Sequence, residues 1–222
     1  MRTIAPPGHG YNTIVLLAGM PRVASPASIR KGSAVDRRGD IIRGVWRTIL
    51  TRGIAGVSVR AVAEAAGVSV GLVQHYHRSK DALIRASAAA MIEGSAAAYR
   101  LAGFAPSEAV RHLVTHAIPT SPAARDGVVI WHAYLAASVA DEELAALLRA
   151  AKSGQERELA THLAAVVPED EVTHVARSLI ALADGLAARV ITGEISGADA
   201  VQTAEAATDA FAGIARGRSQ AP

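Results

Sequence analysis

Residues 59 to 80, VRAVAEAAGVSVGLVQHYHRSK, constrain what this chain can fold into more than any other stretch. Val59, Val62, Ala63 and Ala66 recur at helical spacing, Gly67 interrupts the pattern, and Val68, Leu72, Val73 and Tyr76 resume it at the same period. A glycine between two short apolar-faced segments supplies the positive φ with which a chain leaves a helix. Ser69, two residues on, offers a side-chain oxygen to the open amides of the next one. The pattern predicts a helix-turn-helix.

On the second of these helices the side away from Val68, Leu72 and Val73 carries Val70, Gly71, Gln74 and His75. A face of little bulk can enter a major groove, where Gln and His hydrogen-bond base edges and a short aliphatic meets a thymine methyl. Taken alone, two short helices fit a buried hairpin equally well. Charge separates the readings. Residues 1–85 hold 13 Lys or Arg against four acids, Asp36, Asp40, Glu64 and Asp81, whereas residues 86–222 hold 10 against 16. The net charge of +3 therefore conceals a basic half, and that half contains the helix-turn-helix, as a phosphate-binding surface requires.

Residues 41–83 resemble the DNA-binding domain of the TetR/AcrR family of transcriptional regulators. The resemblance rests on a first helix from about Arg38 to Arg52, the break at Gly53, and Ser58-Val59-Arg60 opening the second helix. It continues through Ala65-Ala66-Gly67-Val68-Ser69, His75-Tyr76, Ser79-Lys80 and Leu83. Two positions depart from the family pattern: Gln74 replaces a frequent tyrosine, and His77 stands where a phenylalanine usually fills the core beneath the recognition helix. The run Gln74-His75-Tyr76 also resembles the BetI-like branch.

The resemblance implies an all-α fold with an N-terminal three-helix DNA-binding domain and a C-terminal helical domain for effector binding and dimerisation. It further implies phosphate contacts from the capped end at Ser58, from Arg60 and from Lys80. Base and backbone contacts would come from Ser69, Val70, Gly71, Gln74, His75 and Tyr76. The partners it implies are an operator duplex, a second copy of the chain and a small-molecule effector.

The remaining sequence is read around this domain. Residues 1–36 are rich in Pro, Gly, Ser and Ala and are expected to form a flexible extension; its basic end, Arg30 and Lys31 with Arg37 and Arg38 beyond, suits a DNA-contacting arm or a solvated tail, and Met20 is a second possible start. A DNA-binding domain is placed at 37–82 and an effector and dimerisation domain at 83–222. In the first helix Ile41, Ile42, Val45, Ile49 and Leu50 form the inner side, Arg43, Arg47 and Arg52 the outer, and Trp46 is read as a packing residue. Turn residues divide the second half into helices of about 82–102, 107–117, 122–139, 141–166, 169–192 and 198–216, making about nine in all.

Other chemistries find little support. The chain has no cysteine, which removes disulfides, thiolate ligands and cysteine nucleophiles and fits a reducing, cytoplasmic setting. No apolar run reaches membrane-spanning length. Gly67-Val68-Ser69-Val70-Gly71 matches a nucleophile elbow in letters, but that motif follows a strand and this one follows a helix. His112 and His116 share a helix face without a neighbouring glutamate or third ligand, so no metal and no cofactor is expected.

Trp131, His132 and Tyr134, with His112 and His116, combine aromatic area with hydrogen-bonding groups and are the expected effector-pocket residues. The apolar stripes Val175, Leu179, Ile180, Leu182, Leu186, Val190 and Val201, Ala204, Ala207, Phe211, Ile214 are assigned to a dimer interface by the resemblance, with burial inside one copy as the alternative. A dimeric repressor released by an effector is the expected function. An effector-independent regulator or activator, and a helical carrier or enzyme with an incidental helix-turn-helix, are the rivals.

Overall fold

The computed structural model of the chain describes residues 34–98 and 104–219. The expected N-terminal extension lies almost wholly outside them. Nine α-helices and no strand occur among the described residues. They are α1 (Ala34–Arg52), α2 (Val59–Ala66), α3 (Val70–Tyr76), α4 (Lys80–Ala98), α5 (Pro106–Thr115), α6 (Pro122–Ser138), α7 (Glu142–Leu163), α8 (Glu169–Ile191) and α9 (Gly197–Ser219), with one 3₁₀ turn at Ile54–Gly56.

Local chemistry sets most of these limits. Side-chain oxygens of Ser58, Ser69, Ser79, Ser121, Asp141 and Ser196 each accept a bond from the amide three residues on, which satisfies one open donor of the helix that follows. Ser79 is why α4 starts at Lys80, two residues ahead of the expected 82. Gly67 ends α2 with φ 68° in the left-handed region, as its place in the turn predicts. The seventh helix stops at Leu163 rather than 166, because the amides of Val166 and Val167 both turn back to the Leu163 carbonyl.

Two apolar cores result. One joins Ile41, Val45 and Ile49 of α1, Val62 of α2, Val73 of α3 and Leu83 of α4 with Ile130 and Tyr134 of α6 and Leu144 and Leu148 of α7. The other joins α5, α7, α8 and α9 through Leu113, Val114, Leu159, Leu163, Leu179, Ile180 and Ala204. The three-helix unit is thus not sealed off from the second half; α6 and α7 supply part of its interior. Helix α1 crosses α2 closely at Gly44, where a Cβ would lie 2.8 Å from the Ala66 Cβ and 3.0 Å from the Val62 carbonyl oxygen. Arg52 to Glu64 (3.2 Å) and Arg47 to the Ala65 carbonyl tie the same two helices at the surface.

The apolar stripes of α8 and α9 are mostly spent within one copy. Val175, Leu179, Ile180, Leu186 and Ala204 are buried, and Leu182, Val190, Val201, Ala207 and Phe211 are half-buried. Ala181 and Gly185, one turn apart, remain exposed on α8.

Candidate nucleic-acid interface and ligand cavity

The helix-turn-helix presents one continuous open surface. Ser58, Arg60, Ser69, Val70, Gly71, Gln74, His75 and Lys80 are all exposed, while Leu72 and Tyr76 are half-buried and Val73 is fully buried against the core. This is the amphipathic division that lets a short helix be held from behind and read from the front. Two groups have additional structural tasks. The Lys80 ammonium donates to the Ala55 carbonyl at 3.0 Å, pinning the 3₁₀ turn, and the Tyr76 ring meets His75 edge-on at 5.3 Å between centroids. Ser69 caps α3 as expected, its oxygen receiving the Leu72 amide at 3.2 Å, so it is engaged as an acceptor rather than poised as a nucleophile.

Beneath the recognition helix, His77 ends α3 and is buried; its Nε2 has no hydrogen-bond partner among the described residues. Burial, with the charge of Arg38, lowers its pKa and keeps the ring neutral. A neutral imidazole can occupy the place of the family's usual phenylalanine, at the expense of one unsatisfied ring nitrogen. Gly71 has nothing within 4 Å of where a Cβ would stand. Gly71 is the second residue of α3, where glycine costs at most the roughly 1 kcal/mol that it costs in a helix interior, and nothing inside the protein requires it there.

A cavity of about 600 Å³ opens between α4, α5, α6, α7 and α8. Its walls are mainly apolar, with Met91, Ile92, Leu113, Val128, Leu147 and Ala187, and they carry polar groups from Trp131, His132, Lys152, Gln155, Ser95, Glu93, Glu158 and Asp184. The Lys152 ammonium stands 5.2 Å from the centre of the Trp131 ring and 2.6 Å from Asp184 Oδ1. His132 Nδ1 lies 2.9 Å from the Val128 carbonyl oxygen, which can only accept, so Nδ1 carries a proton. Trp131 Nε1 is buried and finds no partner among the described residues. A roomy apolar chamber with a few polar groups is the usual form of a small-molecule site.

One turn beyond Trp131 on the same helix, Tyr134 is fully buried and belongs to the other core. Its hydroxyl receives the Trp46 indole N–H of α1 at 3.1 Å and lies 2.7 Å from the Ser87 hydroxyl of α4. Burial drives its pKa far above the ordinary tyrosine value, so the hydroxyl keeps its proton and can donate to Ser87 while accepting from Trp46.

Comparison with known proteins finds matches to both parts of the chain. Residues 41–87 match the model of bacterial regulatory proteins of the tetR family, and residues 106–213 match the C-terminal model of BetI-type transcriptional repressors. The HTH-type transcriptional regulator BetI of Stenotrophomonas maltophilia (strain R551-3) is 32% identical over 161 residues, covering 71% of this chain and 82% of that protein. The chain belongs to the TetR family of transcriptional regulators. A Rhodococcus sp. crystal structure assigned to the same family superposes with a TM-score of 0.72 at 26% identity, covering 80% of this chain and 99% of that one. A transcriptional regulator from Saccharomonospora viridis, solved in complex with choline, shares the fold with a TM-score of 0.68 at 22% identity, covering 78% of this chain and 94% of that one.

In this TetR family regulator the sequence-predicted residues of the helix-turn-helix are exposed, except the half-buried Tyr76. The five residues predicted for the effector cluster do not all line the cavity. Trp131 and His132 are cavity wall, whereas Tyr134, His112 and His116 are not among its lining residues. Tyr134, three residues on, is enclosed in the first core with α1 and α4, against which Trp131 also packs. His112 stacks on Phe104 at 5.4 Å and meets His116 in a tilted pair at 5.7 Å between ring centres. Burial and the neighbouring His112 lower the His116 pKa to about 4, so it is a neutral packing group at ordinary pH. Among the described residues no three potential metal ligands come together, and no helix is long and apolar enough to cross a membrane.

The charged wall residues Lys152, Asp184, Glu93 and Glu158 escaped the sequence reading. Lys152 carried the one available signal. It is the sole lysine of residues 86–222 and sits among Ala150, Ala151, Ser153 and Gly154, small neighbours that leave its stem room to lie along the wall.

Proposed function

We propose that this regulator is a homodimeric repressor that reads its operator with α3 and leaves it on binding a small organic cation. The observation that carries the reading is the double duty of α6. Trp131 and His132 wall the cavity, and Tyr134, one turn on, is bonded to α1 of the DNA-binding unit. A ligand that repositions the Trp131 side of α6 acts on the support of the helix-turn-helix, provided it binds the displaced state more tightly. Three acids, Glu93, Glu158 and Asp184, against one lysine on the walls favour a cation, as does the choline held by the Saccharomonospora viridis relative in fold. The exposed Ala181 and Gly185 offer a close-approach row on α8 for a second copy, which two-fold operators require.

The test is binding to the DNA upstream of the protein's own gene, against a scrambled duplex, across a salt series and with choline added. Selective binding that falls with salt and is relieved by choline is expected. Equal, weak binding to both duplexes would defeat the operator reading. Lys80→Ala should weaken both duplexes alike and reduce the log–log salt slope by about 1, as the loss of one phosphate contact does. His75→Ala should instead weaken the operator by about 1–3 kcal/mol and leave scrambled DNA nearly unaffected.

Gly71→Leu separates folding from reading. With open space at that position and a better helix former installed, the free protein should melt up to about 1 kcal/mol more stably. Operator affinity should fall at least tenfold, because the new side chain occupies the surface assigned to the groove. An unchanged operator affinity would remove α3 from the interface.

A further inference from the structure

We infer that Lys152 is a tethered occupant of the cavity's cation site, so that a ligand cation binds by displacing its ammonium from the Trp131 face. The inference rests on the reading of the cavity as the effector site and adds a residue that sets its affinity and selectivity.

An aromatic face with a carboxylate beside it is a receptor for an ammonium group: the ring supplies negative electrostatic potential and the carboxylate a counter-charge. Here Trp131 of α6 is the face and Asp184 of α8 the counter-charge, and the group between them is the ammonium of Lys152 from α7. Its distances, 5.2 Å to the ring centre and 2.6 Å to the carboxylate oxygen, are those of an occupied site. The remaining wall charges, Glu93 and Glu158, are acidic. The lysine is therefore satisfied as a guest and is not an unpaired host waiting for an anion.

Attachment to α7 makes Lys152 an intramolecular competitor, with an effective concentration of about the millimolar order or above that a free ligand must outcompete by its concentration and intrinsic affinity together. Its departure is feasible. The side chain is 23% exposed, on a flexible four-carbon stem, and an ammonium is strongly hydrated and so loses little on returning to water. A quaternary ammonium is weakly hydrated and gains more from the ring. Exchange between the two favours quaternary over primary amines, so the lysine acts as a filter on ligand chemistry. It also changes what the cavity holds together: Lys152 links α6, α7 and α8, and its replacement by a free cation releases α7 from that link.

The experiment is isothermal titration of the full-length protein with tetramethylammonium chloride, and with neutral tert-butanol as the uncharged probe of similar shape. The proteins compared are wild type, Lys152→Met, Lys152→Gln and the double variant Lys152→Met, Trp131→Leu, each checked for native helicity and melting. Lys152→Met and Lys152→Gln should bind tetramethylammonium at least tenfold more tightly than wild type and tert-butanol about equally. The double variant should lose the gain. Unchanged or weaker tetramethylammonium binding in both lysine variants, or no binding by any protein, overturns the inference. Operator binding by the same proteins is measured separately without probe. Intact operator binding that tetramethylammonium fails to relieve would count against effector release while leaving an observed affinity gain in support of Lys152.

Discussion

Tyr134→Ala is expected to destabilise the protein by about 3–5 kcal/mol, the usual range for removing a buried aromatic side chain and leaving its cavity. For a chain of this length that corresponds to a fall in Tm of roughly 6–20 °C, measurable by thermal circular dichroism. The ring is fully buried where α1, α4, α6 and α7 meet, so no neighbouring surface can relax into the space. Tyr134→Phe should behave differently. Without the hydroxyl, the Trp46 N–H retains the Ser87 carbonyl at 3.3 Å and the Ser87 hydroxyl retains the Ile84 carbonyl at 2.8 Å. With both former partners still bonded, the loss should stay near 0.5–1.5 kcal/mol. The functional readout runs the other way. Tyr134→Phe should keep operator affinity without ligand yet blunt the release caused by choline, because the bond from α6 to α1 is gone. Equal release in Tyr134→Phe and wild type would show that the hydroxyl carries no coupling.

Gly44→Val should cost about 1–3 kcal/mol by overpacking and should reduce operator affinity by more than the stability loss explains. The atoms that its Cβ would meet, the Ala66 Cβ at 2.8 Å and the Val62 carbonyl oxygen at 3.0 Å, are fixed to the α2 backbone and cannot swing aside. Helix α2 must move away from α1 and carry the recognition helix with it. Gly39→Ala, on the same helix, provides the control. The nearest atom there is the tip of the Arg43 guanidinium at 3.1 Å, the movable end of a long side chain. That variant should gain up to about 1 kcal/mol from helix propensity alone. Urea melts and fluorescence-anisotropy titrations on the pair distinguish a close helix crossing from a general intolerance of substitution in α1.

The contrast between these two glycines marks what could be read from the chain. Local signals were legible. Gly67 and the serines at 58 and 69 fixed the limits of α2 and α3, and proline and glycine clusters divided the second half at nearly the observed places. Apolar periodicity put Ile41, Val45 and Ile49 inside and Gln74 and His75 outside. What depends on packing between distant helices was not legible. Tyr134 and Trp131 are three residues apart on α6 and both pack against the DNA-binding core, yet only Trp131 also reaches the cavity, a difference set by the helices that surround α6 at each level. Lys152 and Asp184 meet across 32 residues of sequence, and no spacing rule anticipates that contact. The stripes of α8 and α9 looked alike in sequence whether they faced their own core or a second copy; Val175, Leu179, Ile180 and Leu186 are buried internally, while Leu182, Val190, Val201 and Phe211 are only half-buried against that core.

The chain has two tryptophans, and the fold sets them at the two ends of one short path: Trp131 against the cavity and Trp46 against Tyr134 in the DNA-binding core. The native protein therefore carries its own pair of optical probes. Trp131 emission should report the arrival of a cation at the ring and the departure of the lysine. Trp46 emission should report whether the hydrogen bond to α6 is kept or broken. In proteins retaining one indole or the other, the order of the two signals in time after mixing would show whether the DNA-binding half responds to the occupied cavity or has moved before the ligand arrives.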